Sequence, residues 1–154
     1  MNDIEKRIQT LESEVFKLKS EKFCNQSTKL PIIERVKSYE DACCILNKWE
    51  FFDDCIDSID IIAYKKLKLI IEALNEGWKP NFNDINELKH YPYFSIEKYG
   101  RKNGSAGLGC CYAFCGFGNA SADVGSRLCF KTKELAIYAA QQFKDLYEDY
   151  YLGY

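Results

Sequence analysis

Ile4, Ile8, Leu11, Val15 and Leu18 follow one another at steps of 4, 3, 4 and 3, an unbroken heptad seam at the start of the chain. A 3.5-residue period keeps one narrow apolar stripe facing a partner helix, whereas a helix lying on a globular body carries a wider and looser apolar face. With Ile8 and Val15 at a, the d positions are Ile4, Leu11 and Leu18. β-Branched residues at a with mainly Leu at d favour a parallel two-stranded coil. The flanking charges agree: Arg7 at g would face Glu12 at e of the partner's next heptad, and Glu14 would face Lys19. The spacing therefore predicts a coiled-coil oligomerisation helix over residues 1–24, pairing with a second copy of the chain or with another helix.

The pattern fades after Leu18, and Asn25-Gln26-Ser27-Thr28 reads as the polar core of a linker over 25–30. The rest, 31–154, has the length of one compact domain. A hydrophobic share of 47% and an aromatic share of 15% supply enough apolar material for its core and argue against wholesale disorder. No apolar run reaches the length a bilayer span needs, so no membrane association is expected. Met1-Asn2-Asp3-Ile4-Glu5-Lys6-Arg7 contains no apolar signal-peptide core, so export is not expected either. The 8 cysteines are then read as reduced, structural thiols of a cytoplasmic protein rather than as a disulfide framework.

Within the domain, Ser38 and Asp41 form a capping-box-like start to a short helix carrying Ala42, Cys43, Ile45 and Leu46. Asp53, Asp54 and Asp57 precede a stronger helix over about 58–76, where carboxylates suit the positive end of the helix dipole. Its stripe is Ala63, Leu67, Ile70, Ile71 and Leu74, with Gly77 as a left-handed terminator. Trp78-Lys79-Pro80 closes the helical half. Alternation around Tyr91–Tyr99, the run Leu108–Phe117 and the shorter Ser126–Phe130 predict three strands. Thr132 caps a final helix whose face is Leu135, Ala139, Phe143, Leu146 and Tyr150. The expected fold class is α+β: a coiled-coil helix followed by a small antiparallel sheet of about three strands packed with helices.

The net charge of −2 conceals a pattern. Residues 79–133 hold 8 Lys/Arg against 4 Asp/Glu, while both flanks are acidic. That basic stretch also carries seven of the nine glycines and nine aromatics. Tyr91, Tyr93, Tyr99, Tyr112 and Phe114 lie near Lys98, Arg101, Lys102, Arg127, Lys131 and Lys133, and aromatics beside cations are the ingredients of a single-strand nucleic-acid face. The competing reading, favoured by the acidic overall balance, has the aromatics lining the buried side of the sheet.

Catalytic and metal chemistry find little to build on. His90, the single histidine, sits between Lys89 and Tyr91 in no catalytic pattern and reads as a surface or strand-edge residue. The acidic run Glu50, Asp53, Asp54, Asp57 and Asp60 lacks the ligand spacing and central glycine of a calcium loop. Of Cys110, Cys111, Cys115 and Cys129, only Cys111 and Cys115 have knuckle spacing, so no zinc site is assigned. The glycines at 100, 104, 107, 109, 116, 118 and 125 interrupt predicted strands and suit turns and bulges rather than a phosphate loop. No enzyme activity and no cofactor are expected.

Ser38-Tyr39-Glu40-Asp41-Ala42-Cys43, Leu67 through Pro80, and Gly125-Ser126-Arg127-Leu128-Cys129-Phe130-Lys131 together resemble a family of small uncharacterised proteins encoded by bacteriophages and prophages. The likeness continues through Glu134-Leu135-Ala136 and Gln142–Tyr147 and spans about residues 38–150; the opening helix lies outside it and residues 100–124 depart from it. The resemblance implies a short accessory protein of a phage-related setting, placed in the bacterial host cytoplasm or the virion, and brings no catalytic residues. Combined with the seam, the expectation is a non-enzymatic, oligomeric binding protein directed at a host or phage protein or ribonucleoprotein machine, with counter-defence inhibition of the anti-CRISPR type as its most specific form. Partner-binding candidates are Trp49, Tyr99, Arg101, Lys102, Tyr112, Phe117 and Arg127, because aromatic and Arg side chains are the usual interface anchors. Single-stranded nucleic-acid binding through 79–133, and a structural role in the virion, are the alternatives.

Overall fold

The apolar face of residues 59–74 is wide enough to be covered from more than one side, and the structure is organised around it. The computed structural model describes residues 3–27, 30–48, 57–84, 86–97, 107–116 and 128–153. In chain order these form α1 (Asp3–Ser27), α2 (Ile32–Arg35), α3 (Tyr39–Leu46), α4 (Ile59–Leu74), β1 (Lys89–Glu97), β2 (Gly107–Gly116), α5 (Lys133–Gln142) and α6 (Lys144–Leu152). The architecture is mixed: helices packed with a two-stranded antiparallel ribbon of β1 and β2.

All five residues of the anticipated α4 stripe are buried, and Leu69 and Ala73 beside them are buried as well. That extra width lets α3 pack on one part of α4 and α6 on another. α4 ends where Glu76 and then Gly77 turn to positive φ, 48° and 84°. Gly77 carries the larger excursion, the conformation that costs a residue without Cβ least. α3 opens with a complete capping box: the Ser38 hydroxyl accepts from the Asp41 N–H at 3.2 Å, and the Asp41 carboxylate accepts from the Ser38 N–H at 3.0 Å. The opening helix runs on through Asn25, Gln26 and Ser27, residues the sequence assigned to a linker. Among the described helices none is long and apolar enough to cross a membrane.

The sheet differs from the expectation of three strands. β1 and β2 pair in antiparallel register, with Tyr91 opposite Phe114 and Tyr93 opposite Tyr112. The anticipated third strand, so far as it is described, contributes a single bridge, Phe130 to His90, closed by hydrogen bonds of 2.6 and 3.1 Å. The reason lies in α4. Asn75, buried just past the end of that helix, donates its amide to the Cys129 carbonyl at 2.9 Å and accepts the Lys131 N–H at 3.0 Å. Backbone groups on either side of Phe130 are thus bound to one side chain instead of to a strand. Leu128, Cys129 and Phe130 are buried in succession, which a strand half-exposed on one face would not allow.

The last helix is also broken in two. Phe143, at φ −115° and ψ 29°, separates α5 from α6 without proline or glycine. α5 presents Ala136, Ala139 and Ala140, small residues that let it approach the ribbon closely, and the break then turns both Phe143 and Tyr147 into the core. The Glu148 carboxylate of α6 is buried and accepts the Leu108 N–H at 2.8 Å, fastening the start of β2. Tyr138 donates to the Val36 carbonyl at 2.5 Å and Gln142 to the Lys37 carbonyl at 2.9 Å, joining α5 to the turn before α3.

Removing the Asn75 amide strands a buried carbonyl and a part-buried N–H together. Asn75→Ala is expected to lower unfolding stability by about 2–4 kcal/mol, read from urea melts. Ser38→Ala, which loses only a half-buried cap, should cost about 1 kcal/mol.

Candidate binding surfaces

Three surfaces stand out, and each is made by a different part of the chain. The first is the seam of α1. That helix leans on α3, yet Ile4, Ile8, Leu11, Val15 and Leu18 are all left 49–67% exposed. Five apolar side chains on one helical stripe, each about half exposed or more, form a continuous apolar face. α1 is bonded internally along its length, and Thr10 adds a hydroxyl bond to the Lys6 carbonyl at 2.9 Å.

The second surface is the outer face of the ribbon. Pro92 is buried and Phe94 is half-buried, with the Phe94 ring 5.0 Å from that of Tyr147 and 6.0 Å from that of Tyr151. Alternation then turns Tyr91, Tyr93, Ser95 and Glu97 away from the helices. Tyr93 is 56% exposed, so the expectation that the ribbon's tyrosines line its buried side fails there. By register, Tyr112 and Phe114 occupy positions on this same outer face, opposite Tyr93 and Tyr91. The register slips between Phe94 and Ile96, opposite Gly109. A Cβ on Gly109 would collide with the Glu97 carboxylate and stand 2.6 Å from the Ser95 hydroxyl, so the bulge draws two polar side chains across a bare glycine. This is the turn-and-bulge use of glycine that the sequence suggested. Of the other partner-binding candidates, Trp49, Tyr99, Arg101, Lys102, Phe117 and Arg127 lie outside the described residues.

Sequence reasoning missed the third surface. A cleft of about 340 Å³ opens beyond the end of α4. Lys68, Ile71, Glu72 and Asn75 line one side from a single face of α4; Trp78, Lys79, Pro80 and Phe82 line the other, and Cys129 contributes to the wall. Its aromatic walls are braced from behind. The Lys89 ammonium, only 7% exposed, donates to the Asp84 and Glu87 carbonyls at 3.2 and 2.9 Å and pairs with the Glu87 carboxylate at 3.0 Å. It also lies 5.9 Å from the centre of the Phe82 ring. Glu87 also accepts the Asn81 N–H at 2.7 Å, and Lys89 first, then Asn81, hold its carboxyl below the usual range. The signal available in the sequence was Trp78-Lys79-Pro80 directly after a helix terminator; what it lacked was Lys89 and Glu87, which act on the loop from several residues away.

Potential chemistry is sparse. His90 sits at the ribbon edge, its backbone bridging Phe130, and its buried Nδ1 has no hydrogen-bond partner among the described residues. Cys43, Cys44 and Cys129 are buried thiols. Among the described residues no three His, Cys, Asp or Glu side chains converge as metal ligands. Burial pushes the Cys129 thiol up to about 11, so it is a protonated thiol at neutral pH and a poor nucleophile. No family model matches the chain, and neither the curated proteins nor the solved structures give a match.

The raised thiol is directly measurable. Alkylation of Cys129 by iodoacetamide near neutral pH, followed by peptide mass mapping, should run on the order of a hundredfold slower in the native chain than in urea. Equal rates would mean that the thiol is not held protonated by its surroundings.

Proposed function

We propose that this chain is a non-enzymatic binding protein that works as a parallel coiled-coil pair, each copy offering its α+β body to a host or phage protein or ribonucleoprotein machine. The observation that carries the reading is the uncovered seam of α1, where five apolar side chains at heptad spacing remain exposed. Apolar surface of that extent on a straight helix is costly to leave in water, and a second copy buries it with both g-to-e charge pairs satisfied. The body supplies the grip. Tyr93 on the outer ribbon face, with the position of Tyr112 beside it, provides an aromatic platform of the kind that anchors interfaces. The resemblance to phage and prophage proteins favours a counter-defence inhibitor of the anti-CRISPR type acting in the bacterial host cytoplasm.

Sedimentation equilibrium of the intact chain should return twice the 17.9 kDa chain mass. Leu11→Asp combined with Val15→Asp should return the single-chain mass with an unchanged melting profile of the body, because both positions are exposed in one copy. A single-chain mass for the unsubstituted protein overturns the pairing.

One observation favours a second reading, single-stranded nucleic-acid binding. Exposed Tyr93 stands on the outer face within the basic stretch, and a base can stack on such a ring. On that reading affinity for a short oligothymidine falls steeply with salt, and Tyr93→Ala weakens it by about tenfold or more. Charge reversal at Arg101 and Lys102 weakens it further. Absence of binding at low ionic strength removes this alternative.

A further inference from the structure

Charge decides what the cleft beyond α4 can take. Two carboxylates lie in or behind it, and both are committed: Glu72 pairs with Lys48, and Glu87 with Lys89. Lys68 and Lys79, exposed residues of the lining, have no carboxylate partner among the described residues. The cleft therefore presents two uncompensated positive charges beside a largely apolar interior walled by Trp78, Phe82 and Ile71. Cys129, protonated and buried, adds apolar surface and no charge. A volume of about 340 Å³ lies at the lower end of the range for small-ligand sites, room for one ring system with a short arm.

We propose that this cleft is a binding site for a nucleoside monophosphate, its base against the Trp78 and Phe82 rings and its phosphate between the Lys68 and Lys79 ammonium groups. A planar aromatic ring gains most from two aromatic walls that are already braced, because little side-chain freedom is lost on binding. The bracing is visible here: Lys89 stands against the Phe82 ring, and the Trp78 backbone N–H is tied to the Asn75 carbonyl at 2.9 Å. A phosphate dianion matches two point-charge ammonium groups, which have the flexible reach that suits a rim. The site goes beyond the proposed pairing and does not depend on it. α1 lies elsewhere in the chain and contributes nothing to the lining.

The test is a titration of the full chain with AMP, followed through the Trp78 indole N–H resonance, which Trp78→Phe assigns. AMP should shift that resonance saturably. Lys68→Gln combined with Lys79→Gln should weaken binding about tenfold, as should omission of the phosphate by using adenosine. Both lysines are exposed, so the double variant keeps its fold, which an unchanged melt verifies. An unmoved Trp78 resonance overturns the site. Equal affinity in the lysine variant, or ribose 5-phosphate binding as tightly as AMP, overturns the two-part recognition. Indole-3-acetate binding as tightly as AMP overturns the phosphate assignment in favour of an aromatic carboxylate. Seam substitutions in α1 leave the titration unchanged, so the outcome is separable from the oligomeric state.

Discussion

Asn75 holds the domain together at the point where its helical and extended halves meet. Its amide binds the Cys129 carbonyl and its oxygen the Lys131 N–H, so one side chain fixes the backbone on both sides of Phe130. Phe130, so placed, bridges His90 and anchors the first residues of β1, while the segment passes directly into the Thr132 cap of α5. The same clamp sets Cys129 against the cleft. Without it the buried Cys129 carbonyl would be unpaired, at a cost exceeding the net worth of the bond itself. Ribbon, cleft and last helices therefore share a dependence on a residue that carries neither charge nor large apolar area.

Buried polar groups serve the body in a consistent way. Asn75 ties α4 to the 129–131 segment, Glu148 ties α6 to β2, and Lys89 ties the 81–87 loop to the start of β1. Each replaces a backbone partner that a larger sheet would have supplied. A two-stranded ribbon is marginal by itself and needs a packed face, here given by α5 and α6, together with such fastenings at its ends. The outer face of the ribbon is then freed from a structural duty. Tyr93 on that face stands exposed, while the inner face, with Pro92 and Phe94, meets the helices.

The helices were legible because periodicity reports local geometry: the Ser38–Asp41 capping box, the α4 stripe and the Gly77 terminator all stand where their residues place them. Both strands of the ribbon were legible within two residues for the same reason. The third strand was not. Leu128-Cys129-Phe130 has strand composition, and only the distant Asn75 decides that its backbone is spent on a side chain. The break at Phe143 was hidden likewise, since no proline or glycine marks it and the cause is the demand of the core for Phe143 and Tyr147 together. Among the surfaces, the seam could be read from spacing alone. The cleft could not, because a braced wall requires knowing that Lys89 folds back beneath Phe82.

The seam's length also sets the strength of what it can do. Two heptads with Ile4 as the one further d residue would make a short coil, and helices of this size are marginal when isolated in water. In this chain α1 is not isolated, since it leans on α3, and on the paired reading it would enter association partly ordered. Part of the entropy of helix formation is then spent before two copies meet. On the proposed pairing, a coil of this kind would dissociate at low concentration and form as the protein accumulates, coupling the avidity of the two bodies to the amount of protein made. A target with two copies of the recognised surface within reach would be held more tightly than either body could hold it alone. A target with one copy would gain nothing from the pairing. For the paired reading, the geometry of the target thus matters as much as the chemistry of the ribbon face.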